Sequence, residues 1–437
     1  MPDAPNQSML LRARIVASIA RPPLKDGAVL ISGGSIAAVG RWRDLAHRAP
    51  AVDLGDTVLL PGLVNAHCHL DYTDMAGMFP PPKVFTDWIK EITAAKAEWN
   101  YSEFAESWLR GAKMLLLSGT TSVGDIENLP ELLPEVWEAT PLRVMSFLEM
   151  TGVKSRRRPQ DILQETVSRI DSLPTGRCSA ALSPHAPYST LPDLLRLTAQ
   201  TAATRRWRVS IHVAESALEF QMFARGRGEM FKWLRRSERD MSDCGLGSPV
   251  RHLERNGALG PNLLAVHVNY LGRGDADLLA RRKVHVAHCP RSHSYFRHDA
   301  FPLRKLLKAG VNVCLGTDSL ASVYLRRGQR IELSLFDEMR ALAASQPWLP
   351  LRAVVRMATV NGARGLGLKG LIGELSPGAH ADLIALPFAG KLTNAYPAIV
   401  DHRGPVAASM IGGRWAVAPG GSAEPAVPAE SLCAVGE

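Results

Sequence analysis

No apolar run in this 437-residue chain approaches the ~18 residues a bilayer-spanning helix needs, so no membrane partner is expected. The first eleven residues lack the basic start, long apolar stretch and small-residue cleavage site of a secretory leader, and a cytoplasmic location is the default. The six cysteines, Cys68, Cys178, Cys244, Cys289, Cys314 and Cys433, form no C-x-x-C pair. Most sit inside apolar runs, which fits reduced, buried thiols better than a disulfide framework. Aromatic residues make up only 6% of the chain. The net charge of +9 gathers in short basic clusters at 154–158, 205–208, 235–236 and 281–283 without the interleaved aromatics of a nucleic-acid surface. These clusters read as solvated helix ends and loops, with an anionic small substrate as the alternative. There is no phosphate-cradling P-loop, no H-E-x-x-H and no P-C-x-x-C, and the last absence excludes the small zinc deaminases that act on flipped bases. A G-x-G-x-x-G string at 365–370 follows a helical stretch, not a strand, and fails the context test for dinucleotide binding.

What is present is an ordinary globular composition, 46% hydrophobic and 21% charged, in a chain long enough for a barrel and a smaller domain. Residues 9–60 read as short strands punctuated by Gly and Asp, and 372–418 repeat that style. The two ends therefore read as halves of one small β-sandwich, 1–60 and 372–418, with a loose tail at 419–437. Between them, 61–371 alternates strand and helix. Apolar strands are expected at 57–69, 120–127, 143–150, 179–186, 208–215, 262–269, 283–290 and 312–318, with amphipathic stretches between and a helical region at 340–362. Eight such units predict an α/β fold, a (β/α)8 TIM-like barrel, with its chemistry at the C-terminal strand ends.

The polar residues fall at those ends. His67 and His69 are two apart, so a strand presents both imidazoles on one face, and neutral imidazole suits zinc, iron and similar ions. His212 ends the fifth strand and offers a third imidazole; Glu215, just beyond it, stands where a proton shuttle for a bound substrate belongs. Asp318 follows the eighth strand as a hard oxygen ligand that can also take a proton from activated water. His267, ending the sixth, reads as a fourth imidazole ligand or, preferably, as a group that polarises the water. His185 after strand four, and His288 and His293 after strand seven, read as substrate contacts or as residues pinning the loops. A metal-dependent barrel follows, with one divalent ion; the donors accept Zn, Fe or Mn, and Zn is the first expectation.

The motifs together resemble the amidohydrolase superfamily, in the branch of adenosine-type, guanine and cytosine deaminases and triazine hydrolases. They are Pro-Gly-Leu-Val-Asn-Ala-His-Cys-His at 61–69, Ser-Pro-His-Ala-Pro-Tyr at 183–188, His-Val-Ala-Glu at 212–215, Val266-His267, His-Cys-Pro-Arg-Ser at 288–292, Gly-Thr-Asp-Ser at 316–319, Val-Asn-Gly-Ala at 360–363, and the Gly373–Leu383 return into the β domain. The resemblance implies a mononuclear site on His67, His69, His212 and Asp318, with Glu215 protonating the ring nitrogen beside the attacked carbon and His267 orienting the water. No lysine stands where a carbamylated bridging ligand would be expected; strand four offers His185 instead, which argues against a two-metal site. The implied reaction is hydrolytic deamination: activated water attacks the amine-bearing carbon of a purine or related ring, and ammonia leaves.

Two departures bear on the substrate. His293 stands where the family often has Asn, and the segment around Trp88 only partly matches the region that supplies a ribose-binding glutamate. Glu149, at the end of strand three, is a candidate replacement for that contact, and Arg157 in the Arg-rich loop a candidate for gripping a substrate carboxylate. The expected substrate is an aminated heterocycle, such as aminodeoxyfutalosine or methylthioadenosine/S-adenosylhomocysteine. The alternatives are a chlorohydrolase or amide-bond hydrolase on the same site and a non-catalytic scaffold; Glu215 disfavours the first and the surviving ligand set the second. A homodimer is the prior expectation for assembly.

Overall fold

The computed structural model describes residues 8–153, 157–325 and 331–420. Among them, sixteen strands form two sheets. The outer sheet begins with β1 (Met9–Val16), β2 (Leu24–Ser32), β3 (Ser35–Arg41), β4 (Ala51–Asp53) and β5 (Thr57–Pro61). The barrel strands are β6 (Leu63–Cys68), β7 (Thr120–Glu127), β8 (Arg143–Met150), β9 (Ser179–Pro184), β10 (Val209–Val213), β11 (Leu263–His267), β12 (His285–His288) and β13 (Asn312–Leu315). β14 (Leu383–Pro387), β15 (Ala408–Ile411) and β16 (Arg414–Val417) return to the outer sheet, whose order is β16-β15-β14-β5-β1-β2-β3 with β4 beside β1.

The barrel strands pair in parallel in chain order from β6 to β13, as strand–helix alternation requires. The circle closes between its last and first strands. Thr317 and Asp318 donate backbone N–H groups to the His67 carbonyl at 3.0 and 3.1 Å. The Asn65 amide grips Thr317 twice, at 2.8 Å to the hydroxyl and 3.1 Å from the backbone N–H. Alternation fills both faces. In β11, Leu264 and Val266 point into the barrel with Val64, Phe147 and Ala287, while Leu263 and Ala265 join the layer under the helices.

The single apolar run at 57–69 is two strands, which corrects the one strand expected there. The break is Gly62: a Cβ at this position would overlap the Thr121 side chain, so only glycine lets the two sheets meet. Val58 and Leu60 of β5 pack on the barrel layer, whereas Leu59 packs with Leu383 and Ala385 in the outer sheet's own core. The run was unbroken because both faces of both strands are buried. The helical region expected at 340–362 is likewise three short helices, Leu335–Ser345, Leu351–Met357 and Val360–Gly365, divided near Pro350 and Thr359. All five described cysteines are free. No helix among the described residues is long and apolar enough to cross a membrane.

Candidate metal centre and active site

The C-terminal mouth of the barrel collects the imidazoles. His67 lies in β6 and His69 just beyond it, with ring centroids 5.0 Å apart; His212 in β10 lies 5.0 Å from His67 and 5.5 Å from His69. One donor nitrogen from each of these three side chains falls within 4.8 Å of the others. Asp318 Oδ1 lies 3.7 Å from Nε2 of both His67 and His69. Bonds of roughly 2.0–2.2 Å to a shared tetrahedral ion leave donors about 3.3–3.5 Å apart, so a small contraction closes the set.

The chemistry of the donors fits a divalent ion. His67 is fully buried, yet neither of its ring nitrogens has a hydrogen-bond partner, and His69 Nδ1 is also unpartnered. A buried polar atom without a partner is costly unless something else binds it. His212 Nδ1 lies 2.9 Å from the His185 carbonyl, which makes that nitrogen the donor and leaves the Nε2 lone pair free. Burial holds the His69 imidazole well below its usual range, and His212 falls to about 3 for the same reason, so both stay neutral and able to bind. Burial opposes ionisation of Asp318, but the imidazoles of His67, His267 and His69 outweigh it and hold the carboxyl well below the carboxylate range. Ser292 Oγ donates to Asp318 Oδ2 at 2.6 Å and the Ser319 N–H to Oδ1 at 2.9 Å, fixing the carboxylate.

Glu215 lies beside this centre, its Oε1 3.6 Å from His267 Nε2. Strand parity would turn His267 outward, since Leu263 and Ala265 face the helices. Left-handed backbone at His267 (φ 71°) and Val268 (φ 52°) breaks the alternation and turns the ring to within 5.5 Å of His212 and 5.8 Å of His67. Burial, with the charges of Asp318 and Glu219, pushes the Glu215 carboxyl well above its ordinary value; burial keeps His267 neutral. The shifts favour a protonated acid beside a neutral base.

The residues expected to touch substrate are dispersed. His185 Nε2 faces Glu149 at 4.0 Å, its Nδ1 is 2.5 Å from the Ser189 hydroxyl, and its ring is 5.0 Å from His212. Those two residues adjoin the centre. His288 stacks on Phe301 at 3.6 Å between centroids, and His293 Nδ1 meets Asn269 Oδ1 at 3.1 Å. Trp88 lies on the helix Phe85–Glu98 against Phe85 and Phe296, with its indole N–H unpartnered. Arg157 is exposed and ion-pairs with Glu165 on the following helix, while 154–156 of that loop lie outside the described residues.

Sequence reasoning missed two groups. Asp71, Asp125 and Glu127 form a fully buried acidic set behind the centre; Asp125 accepts from the Leu70 N–H and the Trp108 indole, both at 2.9 Å. Tyr72 stacks on His69 at 5.2 Å, and its hydroxyl accepts from Asn128 at 2.7 Å. Acidic residues at strand ends carry no mark of burial in the sequence. The second is Glu219, whose signal was Ser216-x-x-Glu219, a capping-box pattern.

The amidohydrolase family model matches residues 58–416. The chain belongs to the amidohydrolase family. It is 34% identical over 381 residues to a 5-methylthioadenosine/S-adenosylhomocysteine deaminase of Syntrophobacter fumaroxidans, covering 83% of this chain and 80% of that one. A 5'-deoxyadenosine deaminase of Methanothermobacter thermautotrophicus is 30% identical, with 83% and 81% covered. The fold matches the crystal structure of a zinc-bound adenosine deaminase from Xanthomonas campestris with a TM-score of 0.80 at 24% identity, over 95% of this chain and 94% of that one. This family's metal dependence agrees with the imidazole set at the barrel mouth.

Proposed function

We propose that this amidohydrolase is a hydrolytic deaminase that releases ammonia from the aminated purine of an adenosine-type nucleoside. His67, His69, His212 and Asp318 would hold one divalent ion, with zinc the first choice for three imidazoles and a carboxylate. When bound, that ion supplies a water acidic enough to act as nucleophile near neutral pH. The chain's own residues do the rest. His267, neutral and unable to rotate freely in its buried site, accepts a hydrogen bond from the water and aims it. Asp318 takes the proton that the water sheds. Glu215 gives its proton to the ring nitrogen next to the amine-bearing carbon, so negative charge does not build up in the ring during attack. The proton collected by Asp318 then passes to the departing amine, which leaves as ammonia while the second proton of the attacking water returns to Glu215 and the ring carbonyl forms. Glu149, open to the same space as His185, is suited to accept hydrogen bonds from sugar hydroxyls.

One observation carries this reading: a buried carboxyl, Glu215, which burial pushes well above its ordinary value, stands next to the imidazole and aspartate set. The relatives named as deaminases of adenosine derivatives support it. The test is an ammonia-release assay of zinc-loaded protein against 5'-deoxyadenosine, methylthioadenosine, S-adenosylhomocysteine, adenosine, guanine, cytosine and an aminated triazine. Release is expected from one or more of the adenosine derivatives. Release from none of the seven would overturn the proposal.

A further inference from the structure

The strand that delivers His212 ends at Val213, and Glu215 sits on the irregular turn beyond it, where Ala214 is left-handed (φ 52°). Outside a strand ladder, the main chain of a catalytic residue needs other partners to stay in place. Glu219, on the first turn of the helix Ala217–Arg225, provides them. Its Oε1 accepts from the Ala214 N–H and its Oε2 from the Glu215 N–H, both at 2.9 Å. In an ordinary capping box the acidic side chain reaches back to the N-cap residue's own N–H. Here Ser216 still caps, its Oγ accepting from the Glu219 N–H at 3.1 Å, but the carboxylate reaches past it to the two residues before.

Glu219 is fully buried, and its polar contacts are these backbone groups with no cation among the described residues. A carboxylate buried without a counter-ion is costly, so a role only in helix capping is poorly served by it; an exposed serine or aspartate would do as well. The next peptide, on the other side of the Glu215 Cα, is also held: Asn269 Nδ2 donates to the Glu215 carbonyl at 2.9 Å, and His293 Nδ1 orients the Asn269 amide. Both backbone polar groups of Glu215 are therefore gripped by side chains.

We infer that Glu219 is a positioning residue, a two-pronged backbone acceptor that aims the Glu215 carboxyl at the substrate's ring nitrogen. The inference rests on the role given to Glu215 in the proposed deamination. Only a carboxylate has two acceptor oxygens for two adjacent N–H groups; a glutamine amide would meet one of them with its own donor. In Glu219→Gln, kcat should fall by about 10²-fold, the size of effect that small misplacements of a reacting group produce, while KM and bound zinc stay near wild type. The deciding measurement is a double-mutant cycle with Glu215→Gln. If Glu219 acts through Glu215, adding Glu219→Gln to Glu215→Gln slows the enzyme little further. Additive losses, or a Glu219→Gln enzyme with wild-type kcat, would overturn the inference while leaving the deaminase reading intact. A wild-type protein that releases no ammonia would overturn both. Should Glu219→Gln fold poorly, Asn269→Ala, which frees the Glu215 carbonyl, should reproduce the kcat loss and the non-additivity with Glu215→Gln; wild-type kcat in a folded Asn269→Ala enzyme would overturn the inference.

Discussion

Glu215→Gln is the sharpest perturbation of the proposed chemistry, because the structure says what it leaves alone. Glu215 is 6% exposed, and burial together with the charges of Asp318 and Glu219 raises its carboxyl well above the ordinary value, favouring the protonated form. Glutamine has the same size and, like a protonated carboxyl, no charge. Its backbone partners, Glu219 and Asn269, do not depend on the side chain that changes. The substitution thus removes one transferable proton and little else. Loss of a positioned general acid slows reactions by about 10²–10⁴-fold, or roughly 2.7–5.4 kcal/mol of barrier. We expect kcat for ammonia release from 5'-deoxyadenosine to fall within that range, with KM changed by no more than a few-fold and with zinc content and thermal midpoint unaltered. The alkaline limb of the pH–rate profile, where the wild-type carboxyl gives up its proton, should disappear. A variant that keeps a tenth or more of wild-type kcat would refute the assignment of Glu215 as proton donor. One that loses its metal would refute the claim that the carboxyl stands outside the ligand set.

Three further outcomes follow from the geometry. A Cβ on Gly316 would lie 2.7 Å from the His67 carbonyl oxygen and 3.0 Å from its backbone nitrogen, so Gly316→Ala should push His67 out of line; zinc content after dialysis should fall well below one per chain, and full zinc occupancy would contradict it. Stripping the metal with a chelator should abolish activity and lower the thermal midpoint, with zinc restoring both; free zinc at about 100 times its Kd stabilises by about 2.7 kcal/mol, and an unchanged midpoint would argue against these four ligands. Burial raises the Asp125 carboxyl to about 7, against the pull of the Leu70 N–H and the Trp108 indole. Because the folded value lies above the unfolded one, the stability this group contributes is present below about pH 4 and is lost as pH rises through about 7. The stability of wild type relative to Asp125→Asn, from denaturant midpoints, should therefore fall by up to ~1.4 kcal/mol per pH unit over that window; a difference that grows with pH would contradict the assignment.

The cluster of candidate ligands was legible because each member ends a strand and strand ends are marked by composition: an apolar run, then His-x-His, His-x-x-Glu or Gly-Thr-Asp. Chain connectivity alone carried that pattern to one mouth of a barrel. What could not be read was pairing across distance. Asn65 gripping Thr317, Trp108 on Asp125 and Asn269 on the Glu215 carbonyl join residues far apart in the chain, and none of them alters local periodicity. The turn of His267 into the site was hidden for a different reason, since it depends on two left-handed residues of ordinary side-chain type. The sequence distributed substrate roles to His288, His293 and Arg157. In the structure the first stacks on Phe301, the second holds Asn269 and the third pairs with Glu165.

The single-glycine junction at Gly62 has a consequence for how the molecule is made. His67 is six residues downstream of the end of β5, and β5 pairs with β14, more than three hundred residues later, over Pro61↔Leu383 to Thr57↔Pro387. The His67 carbonyl in turn waits for the N–H groups of Thr317 and Asp318. A ribosome must therefore deliver nearly the whole chain before the first histidines it made are held on both sides. Such long closures are slow to form. The backbone of His67 is therefore held on its far side only by chain made some 250 residues later.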